Sequence, residues 1–322
     1  MTAKLKLAAL ALALVGAPAA HAAENWPTKP VRIIVPFGAG GGTDIQARLL
    51  SKNFLQSMGQ TFVVDNRPGA GGLIGGEIVA KQSPADGSTI LFTTASLSVN
   101  VTLYAKRIKF NPLTDLEPVS WISSTPLVLC VHPNVPARTV PELIALAKKT
   151  NKLNAGSNGA GTTSHLSVEM LKQFAHINPV HIPYKGGGPA MAALVAGEVD
   201  MLFSTGPVAA QQAQAGKVRT LAVTTAKKSS AFPDLPTMAS FYPGFESDNW
   251  YAMFFPAGTP KPIVDKLNAE IRKALNAQDV KDFMKREALD AVASSPEELR
   301  ANFKREIERY AKIIKAGNIR VD

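Results

Sequence analysis

The stretch "PFGAGGGTD", Pro36 to Asp44, decides how this chain is read. It follows the apolar run "VRIIV" (31–35) and leads into "IQARLLSKNFL" (45–55), giving a strand, a glycine-rich turn and a helix start in sequence. Glycine permits positive φ and close backbone approach, so amide N–H groups can point at a guest. The opening of a helix adds free N–H donors and roughly half a positive charge. The stretch therefore raises the question of which anion it holds.

Working outward, "TFVVDN" (61–66) reads as a second strand, "LIGGEIVAKQSP" (73–84) as a helix stopped before Pro84, and "STILFTT" (88–94) as a third strand. This βαβαβ alternation predicts a parallel sheet covered by helices on both faces. The alternation restarts with strands at "PLVLCVHP" (126–133), "KLNAGS" (152–157), "PVHIPY" (179–184), "DMLFST" (200–205) and "VRTLAVTT" (218–225). Between them lie helices at "TVPELIALAKKT" (139–150), "TTSHLSVEMLKQFA" (162–175) and "GPAMAALVAGEV" (188–199). A second α/β unit thus sits inside the chain.

The remainder is helical. Ile263, Leu267, Ile271 and Leu275 recur at steps of four on one face. The last helix opens with a Ser295/Glu298 capping box and Pro296 at its first position. It carries the stripe Leu299, Phe303, Ile307, Tyr310 and Ile314, and Gly317 is its expected end. These helices need a sheet to cover and are expected to return to the first unit. The chain would then cross between units twice, near 120–126 and 244–252. The expected division is 23–123 with 246–322 as a discontinuous first lobe and 124–245 as the second. A hinge and a ligand cleft fall between them.

Composition narrows the setting. The first 22 residues combine Lys4 and Lys6, an apolar stretch from Leu7 to Val15 and Ala20-His21-Ala22, the layout of a cleavable export signal. The bacterial periplasm is the expected location. Cys130 is the only cysteine, so neither an internal disulfide nor a cysteine metal cluster can form. The formal charge of +10 is scattered along predicted helices, without the aromatic-interleaved basic patches that bind nucleic acid.

Fifteen of the 24 glycines fall in four loops, at 38–42, 69–76, 156–161 and 186–188, and all four precede helices. In an open α/β sheet that places them at the carboxyl edge, where ligands bind. Tight turns alone would also use glycine there. A nucleotide fits poorly, because no lysine completes a Walker loop and Thr43 stands where the dinucleotide fingerprint needs Gly or Ala. No G-x-S-x-G nucleophile elbow is present, and the histidines lack a helical metal spacing. Capping explains Thr162, Thr163 or Ser164, while Asp44 would cap its helix, bind a ligand ammonium, or do both. No catalytic set, cofactor or metal site is expected.

The motifs "WPTKPVRIIVPFGAGGGTDIQARLL" (26–50), "VVDNRPGAGGLIGGEIVAKQSPADGSTILFTT" (63–94) and "AGSNGAGTTSHLSVEML" (155–171) together resemble the Bug family. These are the periplasmic substrate-binding proteins of tripartite tricarboxylate transporters. "HIPYKGGGPAMAALVAGEVDMLF" (181–203) and "FFPAGTPKPIVDKLNAEI" (254–271) extend the likeness from about Trp26 to the end. The resemblance implies an α/β, periplasmic-binding-protein-like fold: two Rossmann-like lobes that close around a small carboxylate. A dicarboxylate, an amino acid or an aromatic acid would be held chiefly by backbone groups and small hydroxyls. Carried over, it implies a pocket of Phe37, Gly38, Gly42, Thr43, Asp44, Thr94 and Ser96. Facing them would be Ser157, Asn158, Gly161, Thr162, His165, Tyr184, Lys185, Gly186 and Ser204. Family loops commonly carry proline near position 39; here Gly38-Ala39 stands instead. A membrane permease is the implied partner, with a signalling partner as the alternative, and the chain is expected to act as a monomer.

Overall fold

The computed structural model describes residues 25–316 and 318–320, apart from Ser230. The export segment expected over 1–22, and Gly317 as a helix end, lie outside the described residues. The first unit opens as its alternation predicts: β1 (Val31–Val35), α1 (Gly42–Met58), β2 (Phe62–Asn66), α2 (Leu73–Gln82) and β3 (Thr89–Thr94). Gly59 closes α1 in the left-handed region at φ 72°, its N–H donating to Leu55 O. Three further elements follow, α3 (Ser96–Leu103), α4 (Pro112–Asp115) and β4 (Leu116–Thr125).

The second unit comprises β5 (Leu127–Val131), α5 (Val140–Thr150), β6 (Asn154–Ser157), α6 (Thr163–Ala175), β7 (Val180–Pro183), α7 (Gly187–Ala196), β8 (Met201–Thr205), α8 (Gly206–Gln214) and β9 (Arg219–Val223). The chain then returns through β10 (Asn249–Pro256), α9 (Lys261–Asn276), α10 (Gln278–Arg286), β11 (Asp290–Ala291) and α11 (Pro296–Ala316). Among the described residues no helix is long and apolar enough to cross a membrane.

Two sheets result, ordered β11-β4-β10-β3-β1-β2 and β7-β6-β8-β5-β9. The alternation predicts parallel sheets, and both are mixed. β1 runs parallel to β2 and β3, but β10 is antiparallel to β3 and β4. In the second sheet β6 runs parallel to β7 and β8, while β5 opposes β8 and β9. The reason lies in the crossings. β5 and β10 each enter their sheet directly from the other one, so they start at the edge where neighbouring strands finish. Only Pro126 separates β4 from β5. The return is stitched to it by Thr224, whose hydroxyl donates to Ser247 O at 2.7 Å and accepts from Leu127 N–H at 3.1 Å.

The apolar stripe of α9, Ile263, Leu267, Ile271 and Leu275, is buried in the core on one face of the first sheet, where α9 packs on β4 and α1. The capping box of α11 forms as spaced: Ser295 N–H donates to Glu298 Oε2 at 2.8 Å, and Glu298 N–H to Ser295 Oγ at 3.1 Å. The stripe of α11, however, divides. Leu299, Phe303 and Ile307 pack with Trp250 and Phe254 of the first sheet, whereas Tyr310 and Ile314 pack in the core of the second. The chain thus spans the two units a third time, where two crossings are expected from the sequence.

Candidate ligand-binding cleft

A cavity of about 350 Å³ lies between the two sheets, with walls from both. Four helices, α1, α3, α7 and α8, present their first turns to it, and a fifth, α6, presents Thr163 behind its Thr162 cap. α1 contributes Gly41, Gly42 and Thr43, and α3 contributes Ser96 next to Thr94; across the cleft, α7 contributes Gly187 and Gly188 and α8 contributes Pro207. None of the four receives a capping hydrogen bond from its N-cap side chain. The cap residues are Gly41, Ala95, Gly186 and Thr205. The first N–H groups of a helix have no partner within it, and a side chain, water or ligand must supply one. N-termini from both walls give the cavity a positive potential without a cluster of cations.

Ten of the sixteen candidate residues line the cavity: Phe37, Gly38, Gly42, Thr43, Thr94, Ser96, Asn158, Thr162, Lys185 and Gly186. The Oδ1 atom of Asn158 is buried without a hydrogen-bond partner among the described residues. Six others are set back, each for an identifiable reason. The Asp44 carboxylate turns onto its own turn, accepting from Gly40 N–H at 2.9 Å and pairing with Arg48. Burial opposes its charge, yet the bonds from Arg48 and Gly40 outweigh that and hold it below the usual carboxylate range. Of the two roles open to Asp44, this geometry serves the turn. Tyr184 reaches away toward Glu198. Ser204 is buried on the far face of β8, and its neighbour Thr205 takes the cavity side, as strand alternation requires.

Ser157, Gly161 and His165 support the second-lobe loop from behind. Gly161 N–H donates to His165 Nδ1 at 3.2 Å, and Ser157 Oγ lies 2.7 Å from His181 Nε2. The two imidazoles stack, with centroids 4.1 Å apart and planes within 10°. Burial lowers both rings to about 4, so they are neutral at pH 7. His165, Glu169 and His181 bring three ligand atoms within 4.8 Å of one another. A metal does not fit them. Imidazole lone pairs lie in the ring plane, and an ion about 2.0–2.1 Å from nitrogen cannot sit in two parallel planes at once. His165 Nδ1 and His181 Nε2 are also engaged, and Glu169 pairs with Lys172 at 2.7 Å.

Gly161 has a further constraint. Its φ is +77°, and a Cβ there would lie 2.6 Å from Asn100 Oδ1 and 2.8 Å from the Tyr104 ring. Only glycine lets this loop close on α3.

The sequence reading missed one wall. Gln46, Asn249, Tyr251, Phe283, Glu287 and Leu289 also line the cavity. Ser123 donates to Gln46 Oε1 at 2.8 Å, leaving the amide nitrogen for the cavity. The Tyr251 hydroxyl sits against the α1 opening, 3.0 Å from where a Gly42 Cβ would be. Apart from Gln46, which follows the first glycine turn in α1, these residues come from β10, the end of α10 and the turn after it, which carry no glycine signature. Their spacing alone gave no signal.

A cleft between two mixed α/β sheets, walled by glycine turns and uncapped helix starts, defines a two-lobe solute receptor. The family model described as the tripartite tricarboxylate transporter family receptor matches residues 46–319, and the chain belongs to that family. It is 36% identical over 321 residues to Protein BugT of Bordetella pertussis, covering 98% of this chain and 97% of that one. A Rhodopseudomonas palustris protein solved with adipate shares 34% identity at a TM-score of 0.85, covering 92% of this chain and 99% of that one. MatC from R. palustris, solved with bound malate, shares 29% identity at a TM-score of 0.83, covering 90% and 100%. The matched family is one of transporter receptors and not of enzymes, and the chain is a receptor of that class.

Proposed function

We propose that this chain captures a small carboxylate between its lobes in the periplasm and delivers it, closed, to the membrane permease of a tripartite tricarboxylate transporter. One observation carries the reading: four helix openings, none capped by its N-cap side chain, face a single cavity between the sheets. Residues 1–22 would direct export, 23–123 with 246–322 would form one lobe and 124–245 the other, and the protein would work as a monomer. The ten cavity-lining candidates form the binding set, with Asp44, Ser157, Gly161, His165, Tyr184 and Ser204 holding loops in shape. A ligand shifts opening and closing only by its differential affinity for the two forms. Bridging donors from both lobes supply that difference. The adipate and malate neighbours support the ligand class.

Thermal unfolding of the mature protein against dicarboxylates, tricarboxylates, amino acids and aromatic acids tests this, with NAD and ATP as controls. A ligand at 100 times its Kd adds about 2.7 kcal/mol, a shift of a few degrees for a chain of this size. Stabilisation by an acid class and not by nucleotides is expected. A response to nucleotides alone overturns the proposal.

A further inference from the structure

Glu287 lines a cavity whose other features suit an anion. Among the described lining residues only two are charged, Lys185 from the second lobe and Glu287 from the first. Glu287 also stands at the end of a helix: its N–H donates to Phe283 O at 2.8 Å, directly after the last turn of α10. A helix C-terminus carries roughly half a negative charge. The cleft therefore carries four positive helix openings, two on each lobe, and one negative feature on the first lobe, a helix end with a carboxylate.

Neighbouring charges do not cancel Glu287. Arg286 Nε lies 3.2 Å from Glu287 Oε1, but the Arg286 side chain is 66% exposed, and such surface pairs contribute little. Glu287 Oε2 has no bond to another described residue. Lys185 has no ion pair among the described residues and lies on the opposite lobe. Glu287 and Tyr251 line the same cavity, and the Tyr251 hydroxyl sits against the α1 opening; burial raises that phenol to about 12, and the charge of Glu287 adds to the rise. A second carboxylate on the ligand would be repelled there, whereas an ammonium would be attracted.

We infer that the cleft selects a zwitterionic acid, with its carboxylate on the helix openings and its ammonium paired to Glu287. This rests on the carboxylate reading proposed above and assigns Glu287 as the residue that sets specificity. Ile45, Val208, Phe283 and Leu289 add apolar side chains to the cavity wall, which suit the carbon frame of such an acid.

Calorimetric titration of the full mature chain with matched acids tests the inference. The pairs are aspartate with malate, 2-aminoadipate with adipate, and leucine with 4-methylpentanoate. In at least one pair the ammonium-bearing member should bind ten-fold or more tightly than its counterpart. Glu287→Gln should bring that ratio close to one, with the plain acid gaining affinity, and Glu287→Asp should retain part of the preference. Tighter binding of the plain acid in every pair, or a ratio unchanged by Glu287→Gln, overturns the inference while leaving a carboxylate receptor in place. If Glu287→Gln fails to fold, the wild-type ratios still test the preference for the ammonium, and Glu287→Asp tests the residue. Binding of no acid in the panel overturns the carboxylate reading and the inference with it.

Discussion

Thr43 and Thr162 bring the same hydroxyl group to the same cavity in different states of engagement. Thr43 is 5% exposed and its hydroxyl bonds no described residue. Thr162 donates to Gly159 O at 2.7 Å and accepts from His165 N–H at 3.3 Å, the geometry of an N-cap. Substituting valine should therefore separate the two. Thr43→Val is expected to weaken ligand binding by roughly 0.5–1.5 kcal/mol, a few-fold to ten-fold in Kd, with unfolding little changed. Thr162→Val should instead lower the unfolding midpoint, since losing a cap costs about 1 kcal/mol. Titration and thermal melts of both variants check this, and equal losses of affinity with no change in melting would sink the distinction. Residues of this kind show what could be read in advance. The turn at Gly38–Gly42 announces itself by its glycines, Gly40 taking a positive φ of 78° and Gly42 lying against the Tyr251 hydroxyl, but Ser204 and Thr205 differ by a strand phase that spacing cannot assign. Glu287 looks like any solvated acid until the fold brings α10 to the cleft.

At the scale of elements, the strands and helices of the alternating units follow their apolar patterns, and β4 escapes them. β4 contains Pro118, Ser120, Ser123 and Ser124, which interrupt its apolar residues. In the fold Ser120 and Ser123 are fully buried, their hydroxyls bonded to Ser294 O at 3.0 Å and Gln46 Oε1 at 2.8 Å. A strand whose polar side chains find partners far along the chain has no local signature. The return segment into β10 carries another such cost. Asp248 stands where the chain re-enters the first sheet, with Oδ1 buried and unbonded among the described residues. Burial pushes its carboxyl up to about 7; Glu246 and Glu306 push the same way and Arg309 opposes them. An unfolded aspartate ionises near 3.9. Between about pH 4 and 7 the folded state thus holds a proton that the unfolded state has lost, so this group makes stability fall as pH rises through that window. The stacked histidines act oppositely, since their folded values near 4 lie below the unfolded 6.5. Asp248→Asn should leave stability near pH 4 almost unchanged and raise it relative to wild type above pH 7, by an amount on the order of a few kcal/mol. Urea midpoints of the two proteins from pH 4 to 8 measure this. A constant difference across that range would show that Asp248 ionises normally.

For the molecule as a whole, the number of connections between lobes matters more than either lobe alone. Two strand crossings, stitched at Thr224, suggest free swinging about a pair of adjacent threads. α11 changes that, because Phe303 is anchored in one core and Tyr310 and Ile314 in the other. Trimming the second anchorage should loosen the resting shape. Ile314→Ala is expected to increase the radius of gyration of the ligand-free protein in solution scattering, with saturating ligand returning it to the wild-type value. An unchanged ligand-free radius would mean that the strand crossings alone set the opening. The two-lobe plan itself was legible, since a repeated α/β alternation with a helical return leaves little choice of architecture. The third connection was not, because a single apolar stripe on α11 gives no hint that two different cores divide it.

That 21-residue helix, about 31 Å long at 1.5 Å per residue, behaves as a stiff rod clamped at both ends. Any change of angle between the clamps must flex it or slide one grip. Affinity for a guest then includes the elastic work done on this rod, so a substitution on its outer face, touching no atom of the guest, would retune how tightly the guest is held.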